Sequence, residues 1–248
     1  MKDLKGKTVW MTGGGGDLAT SAAKLFLQEG ACVVLTVSSE EKIPLTRERY
    51  PEAADCLEVV KGDVRILEEM EAAAKRTVER FGSLDILVTC AGAIRHAPID
   101  EMSMKDWQDI VDINLTGTFC ACKAAVPFMK RQGGGRIVNV SSIAGRTGRP
   151  GNGVNYAASK AGVDGLTKLL AAQLAPFHIN VNGVAPGPMK GSMFQRMTPE
   201  QQAASGKNVP LGRIGELEEV AWAIRYLVSE EAAWITGAIL DVNGGMYM

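Results

Sequence analysis

Tyr156 and Lys160 stand four residues apart in the stretch Asn155-Tyr156-Ala157-Ala158-Ser159-Lys160-Ala161. On an α-helix that spacing puts both side chains on one face, one turn apart. A free phenol titrates near ~10, and a cation within about 4–6 Å favours the phenolate. Such a pair is therefore suited to general acid/base work near neutrality. The residues that follow supply the helix: Val163, Leu166, Leu170 and Leu174 recur at three- and four-residue intervals, and Pro176 ends the run. On an ordinary helix the same two residues would be a half-buried tyrosine and a solvated lysine, so their meaning depends on what surrounds them.

What surrounds them is an alternation of strands and helices. Thr8 to Met11 reads as a short apolar strand, Thr12-Gly13-Gly14-Gly15-Gly16 as a turn, Leu18 to Phe26 as a helix and Ala31 to Thr36 as a second strand. This is the βαβ unit of a dinucleotide fold, in which glycines let backbone approach a diphosphate and a helix N-terminus stabilises its charge. Gly14-x-Gly16-x-x-Ala19 satisfies the G-x-G-x-x-G/A fingerprint in that context. Further strands are expected at 57–60, 84–88, 136–140, 179–184 and 238–242. Helices are expected at 67–81, 103–131 and 217–228, with only a short or broken one near Pro44 and Pro51. Residues 187–210 lack clear periodicity and read as a binding loop or lid. The pattern predicts an α/β fold: one domain over 1–248, a Rossmann-type doubly wound parallel sheet with helices on both faces and a substrate lid at about 187–214. Ligands in such sheets lie beyond the C-terminal strand ends, where Gly13–Asp17, Asp63, Cys90–Gly92, Ser142 and Pro186–Gly187 gather.

Composition narrows the class. The chain is 46% hydrophobic and 22% charged with a net charge of −1, which points to a globular protein with no polyanion partner such as nucleic acid. No apolar run is long enough for a membrane span. The N-terminus runs straight into a strand-like segment, so no signal peptide is expected. Five cysteines, odd in number and mostly inside expected strands or helices, suggest reduced thiols in a cytoplasmic protein. Cys120-Ala121-Cys122 has no second ligand pair, and no metal site is expected.

Taken together, Thr12-Gly13, Gly62-Asp63-Val64, Ala91-Gly92, Asn114-Leu115-Thr116-Gly117, Val140-Ser141-Ser142, Tyr156-x-x-x-Lys160, Pro186-Gly187 and Val242-Asn243-Gly244-Gly245 resemble the short-chain dehydrogenase/reductase family. The pattern is nearest to members that act as 3-oxoacyl-acyl-carrier-protein reductases. The resemblance implies NAD(P)(H) and hydride transfer between a ketone and a secondary alcohol. It gives Tyr156 the role of general acid/base and Lys160 that of lowering the tyrosine pKa and bonding the nicotinamide ribose. Ser142, chosen over Ser141 by Gly145, would polarise the carbonyl, and Asn114 would hold a water of the proton relay. The cofactor would lie along Gly13, Gly14, Gly16, Asp17, Leu18, Ser38, Asp63, Val64, Cys90, Ala91, Gly92, Tyr156, Lys160, Pro186, Gly187 and Met189. It also implies a homotetramer.

Several positions depart from the family. In the register Thr-Gly-x-x-x-Gly-x-Gly, Asp17 and Ala19 replace glycines; the gentler reading makes Gly16 the close-approach glycine and Asp17 the helix N-cap. Cys90 stands where Asn is usual, and Gly191 where a Thr often bonds the nicotinamide carboxamide, with Ser192 a neighbouring substitute. The second strand ends Val37-Ser38-Ser39, without the acid that NAD enzymes use on the ribose, which tilts the expectation slightly toward NADP. No cation sits in the turn itself, Lys42 is the nearest, and Asp17, Glu40 and Glu41 oppose a phosphate. Substrate contacts are expected from Arg95, His96, Ala144, Arg149 and Met193, with Arg146 a further cation able to grip an anionic substrate. Ala175-Pro176-Phe177-His178 is not basic where related reductases often dock an acidic carrier, so a small free ketone, sugar or hydroxy acid stays equally open. The rival reading is a dinucleotide-binding sensor or scaffold of the same fold with little turnover. A nucleotide-sugar enzyme of the extended family fits less well, since only a short loop and one helix follow Pro186.

Overall fold

Along each strand successive side chains point to opposite faces of a sheet, and here both faces are apolar. Val9 and Met11 face one side and Trp10 the other; Val33 and Leu35 are likewise opposed to Val34, and Ile86 and Val88 to Leu87. A sheet buried on both faces needs helices on both, which crossover connections supply. The computed structural model describes residues 4–148 and 153–248, apart from the side chains of Met193 and Ala203.

The elements in order are β1 (Thr8–Thr12), α1 (Asp17–Gln28), β2 (Cys32–Val37), α2 (Lys42–Arg47), β3 (Leu57–Lys61), α3 (Leu67–Phe81), β4 (Ile86–Thr89) and α4 (Met104–Val111). A π-helical turn (Asp112–Thr116) leads into α5 (Gly117–Gln132), followed by β5 (Gly135–Val140), α6 (Val154–Leu174) and β6 (Ile179–Pro186). After α7 (Ser192–Gln195), α8 (Pro199–Ser205) and α9 (Leu217–Leu227), β7 (Ile239–Val242) completes the chain. Among the described residues the seven strands form one parallel sheet in the order β3-β2-β1-β4-β5-β6-β7. Helices α1 and α9 cover one face, and α3, α5 and α6 the other.

Strand order reverses between β1 and β4, the switch point at which such sheets open a crevice. The two strand ends are drawn together there: the Ala91 N–H donates to Thr12 Oγ1 at 3.2 Å. A Cβ on Gly13 would lie 2.6 Å from the Ala91 Cα, and Gly13 has a φ of 67°, so both space and backbone require glycine.

Two expectations change. The helix foreseen over 103–131 starts where Ser103 accepts from the Asp106 N–H at 3.1 Å and ends at Gly133, in the left-handed region. In between, it is broken by the π turn at Asp112–Thr116, which carries Asn114. Residues 187–210, expected to be irregular, contain α7 and α8. The latter is started by a capping box between Thr198 and Gln201. Helices of 4 and 7 residues are too short to show a hydrophobic period.

Candidate active site

At the C-terminal rim, α6 delivers Tyr156 and Lys160 on one face, as their spacing requires. Lys160 is only 4% exposed, and its Nζ donates to the Val140 carbonyl at 2.8 Å. Burial brings its pKa down to about 8, against a smaller upward pull from the Cys90 thiol and Asp164. Tyr156 is half-buried, and burial raises its pKa above the ordinary phenol value, while a hydrogen bond with the Ser142 side chain pulls it back. The Lys160 ammonium is turned to Val140 and lies 5.9 Å from the tyrosine ring centroid, and desolvation dominates the phenol here.

The two serines after β5 separate cleanly. Ser141 Oγ donates to the Lys160 carbonyl at 3.2 Å and so faces the helix backbone. Ser142 Oγ accepts from the Ala144 N–H at 3.1 Å and sits beside Tyr156. Ala144 is thus a buried support of Ser142. Gly145 lets this turn lie on α6, since a Cβ there would meet the Ala161 nitrogen at 2.6 Å. Asn114 is fully buried, not surface-facing. Its Nδ2 donates to the Ala93 carbonyl and to Ser159 Oγ, both at 3.0 Å, and its Oδ1 accepts from the Ala93 N–H at 2.8 Å. It ties the 91–93 loop to α6, and Ser159, which the sequence reading passed over, is the tie point.

Of the expected cofactor positions, Gly13, Gly16, Ser38, Asp63, Val64, Cys90, Ala91 and Gly92 line a cleft of about 550 Å³, whereas Gly14, Asp17, Leu18, Tyr156, Lys160, Pro186, Gly187 and Met189 do not. Whether a dinucleotide fits can be tested from the cradle itself. A Cβ on Gly92 would lie in ordinary contact with Asn114 Oδ1 at 3.5 Å and Lys160 Nζ at 3.6 Å, so Gly92 forms the floor beside both side chains. Gly14 is pressed on Leu35, where a Cβ would lie 2.5 Å from the Leu35 Cβ. At the far wall, Gly187 donates to the Val242 carbonyl at 2.9 Å and has no room for a side chain against Asn243. These residues fit a nicotinamide dinucleotide. Val64 is buried against Gly117, and Asp63 is held below its usual carboxylate range by the Arg65 guanidinium, which grips both its oxygens. Leu18 is partly buried against the core behind the turn, and Met189 packs there too. Cys90 is half-buried, and desolvation pushes its thiol up to about 12, against a smaller downward pull from Lys160.

The turn shows two surprises. Gly16, in extended conformation, is the N-cap of α1, and Asp17 is its first residue. The expected cap role of Asp17 is therefore wrong. Its Oδ2 instead accepts from the Ser192 N–H at 2.6 Å, which also uses the backbone donor beside the position of the missing threonine. The second surprise is a cation on the turn: Arg49, just beyond α2, donates to the Gly15 carbonyl at 3.0 Å and to Thr20 Oγ1 at 2.9 Å. No local pattern in the sequence links residues 34 positions apart. Lys42 donates to Ser38 Oγ at 2.8 Å, while Glu41 is drawn to the Ser39 hydroxyl.

Most of the polar side chains expected to meet substrate are otherwise engaged. Arg95 pairs with Asp106, and His96 Nδ1 accepts from the Gly153 N–H at 3.1 Å, so both brace the approach to α6. Arg146 lies between Asp164 (3.3 Å) and Asp241 (3.4 Å), with the Tyr247 ring centroid 5.4 Å away. These groups are tied to protein partners. Arg149 lies outside the described residues, as does the side chain of Met193.

Fold, cleft and the Tyr156–Lys160 pair define a dinucleotide-dependent oxidoreductase. Residues 16–247 match a family model described as Enoyl-(Acyl carrier protein) reductase. The 3-oxoacyl-[acyl-carrier-protein] reductase FabG of Vibrio harveyi is 39% identical over 246 residues, covering 99% of each chain. Its namesake in Thermotoga maritima is 35% identical over 243 residues, 98% of each. The crystal structure of gox2181 superposes with a TM-score of 0.93 at 32% identity, covering 98% of this chain and 96% of that one. The chain belongs to the short-chain dehydrogenase/reductase family. It is an NAD(P)-dependent oxidoreductase that interconverts a ketone and a secondary alcohol by hydride transfer, a reading the similarities favour over a sensor or scaffold. Its cofactor is NAD(P)(H), with NADP(H) favoured over NAD(H), in keeping with Lys42 on Ser38 at the end of β2. No helix among the described residues is long and apolar enough to cross a membrane.

Proposed function

We propose that the protein reduces the ketone of a 3-oxoacyl thioester, with Tyr156, Ser142, Lys160 and Asn114 as its catalytic group. The observation that carries the roles is the convergence of Tyr156, Ser142 and Lys160 beside the glycine floor at Gly92. The substrate class is supported by end-to-end similarity to 3-oxoacyl-[acyl-carrier-protein] reductases. When bound, the nicotinamide supplies or takes the hydride. Tyr156, kept protonated through neutral pH by its raised pKa, gives the proton to the carbonyl oxygen. Ser142 holds that oxygen and stabilises the charge developing on it. Lys160, protonated below about 8, places a positive charge under the site and would hold the ribose of a bound cofactor. Asn114 keeps the 91–93 floor in register with α6. Residues 187–214 close the site as a lid, and water exclusion follows from that closure. This reading includes a homotetramer in the cytoplasm, where five cysteines that form no disulfide stay reduced.

The test is NADPH oxidation with an acetoacetyl thioester, carried either on an acyl carrier protein or on a short thiol. Tyr156→Phe should reduce turnover by roughly 10²–10⁴-fold while NADPH still binds. A lower KM for the carrier-borne substrate supports recognition of the carrier. Turnover of simple ketones but of neither thioester would refute the substrate class.

A further inference from the structure

The two departures from the family pattern at Asp17 and Gly191 meet in space. Asp17 heads α1 directly after the glycine-rich turn, and Asp17 Oδ2 accepts from the Ser192 N–H at 2.6 Å across 175 residues of sequence. A Cβ on Gly191 would fall 2.8 Å from the same oxygen. Glycine at 191 leaves room for this contact: a Cβ there would press on the carboxylate oxygen, and Asp17 would have to shift away from the Ser192 N–H. The segment is also fastened at its base. Lys190 donates to the Gly215 carbonyl at 2.9 Å, and Gly215 to the Pro188 carbonyl at 3.1 Å. The Asp17 bond adds a second anchor, so the segment is held both at its base and at the start of α1.

The location of the carboxylate matters as much as its bond. The first turn of α1 is where backbone amides and the helix dipole draw a diphosphate. Asp17 already brings negative charge there, and a diphosphate arriving at the same amides is repelled by it. We propose that Asp17 is a positioning residue that latches the lid to the glycine-rich turn in the cofactor-free enzyme, and that dinucleotide binding releases the latch. The device rests on the nicotinamide-dinucleotide reading of the cleft. The protein holds its own lid closed, and the cofactor binds only the fraction of molecules in which the latch is open, so its apparent affinity is lowered by that fraction.

Two measurements on the full-length enzyme test this. The first is limited tryptic digestion without cofactor, following cleavage at Arg196 and Lys207. Asp17→Ala and Gly191→Ala should each be cut roughly tenfold faster than wild type, the effect expected from losing one charge-assisted hydrogen bond. Because both changes remove one contact, the double variant should be cut no faster than Asp17→Ala alone. The second is fluorescence titration with NADPH, which should bind roughly tenfold tighter to Asp17→Ala. Asp17→Asn keeps an oxygen to accept from Ser192 but loses the charge, so its lid should stay protected and its NADPH affinity should stay below that of Asp17→Ala. Gly191→Ala covers the case in which Asp17→Ala fails to fold. Equal digestion of wild type and Asp17→Ala, additive rates in the double variant, or NADPH affinity unchanged or weakened in Asp17→Ala would each overturn the latch. Absence of NADPH binding to wild type and variants alike would overturn the cofactor reading and the release step with it, whereas the digestion tests the lid contact without cofactor.

Discussion

Replacing Lys160 with methionine should remove turnover and stabilise the cofactor-free protein at neutral pH. A buried ammonium whose pKa falls from 10.5 to about 8 destabilises the folded state wherever the unfolded chain is the better proton acceptor. The sign follows from proton counts: between pH 8 and 10.5 the unfolded state holds the Lys160 proton and the folded state has released it, so wild-type stability rises with pH across that window. Below it both states are protonated and the full penalty remains, about 3 kcal/mol at 1.36 kcal/mol per pKa unit. Methionine has a similar unbranched length and no charge, and it leaves the Val140 carbonyl without its donor, a loss of about 1–3 kcal/mol. The net gain at pH 7 should then be about 0–2 kcal/mol. The pH dependence is the sharper quantity, because the hydrogen bond and all other titrations largely cancel in the difference between the two proteins. From pH 7 to pH 10 the stability of Lys160→Met relative to wild type should fall by about 2.5 kcal/mol. Urea unfolding of both proteins at several pH values and one fixed protein concentration measures it. A stability difference that stays flat from pH 7 to pH 10 would refute the lowered pKa and with it the account of how Lys160 is buried.

Arg146→Ala should lower stability by about 3 kcal/mol, because it strips the shared cation from the buried carboxylate of Asp164 and the half-buried one of Asp241. In thermal melts that is a fall in Tm of roughly 6–12 °C for a chain of this size, and an unchanged Tm would show that solvent already screens the pairs. Lys42→Glu should weaken NADPH binding roughly 10- to 100-fold while leaving NADH affinity within about twofold, since it reverses the charge beside Ser38. Equal losses for both cofactors in titration would place Lys42 away from the 2′-phosphate.

The order of elements was legible because it depends on local periodicity. Apolar runs of four to six residues, bounded by glycines and separated by helical patterns, permit little besides a parallel sheet with helices on both faces. The site's outline was legible for the same reason: Gly13, Asp63, Ala91, Ser142, Tyr156 and Gly187 all follow strand ends or head helices, and such sheets bring those ends to one rim. The division of labour between Ser141 and Ser142, by contrast, needed the packing of Gly145 on α6 to become visible.

What only the tertiary structure decided is which side chains meet across the sheet and what burial does to their charges. Spacing put Tyr156 beside Lys160, but the direction of the tyrosine pKa depended on the Lys160 ammonium turning to Val140 and on the solvent removed from the phenol. Arg95, His96 and Arg146 were polar groups at the right rim, and only their neighbours Asp106, Gly153, Asp164 and Asp241 turned them into braces. Arg49 reached the glycine-rich turn from just beyond a short helix that the sequence barely signalled. Asp17 and Gly191 read as two separate defects along the chain and are one contact in the fold. The physical reason is common to all four: periodicity is a property of neighbours in sequence, whereas hydrogen bonds and desolvation are set by neighbours in space.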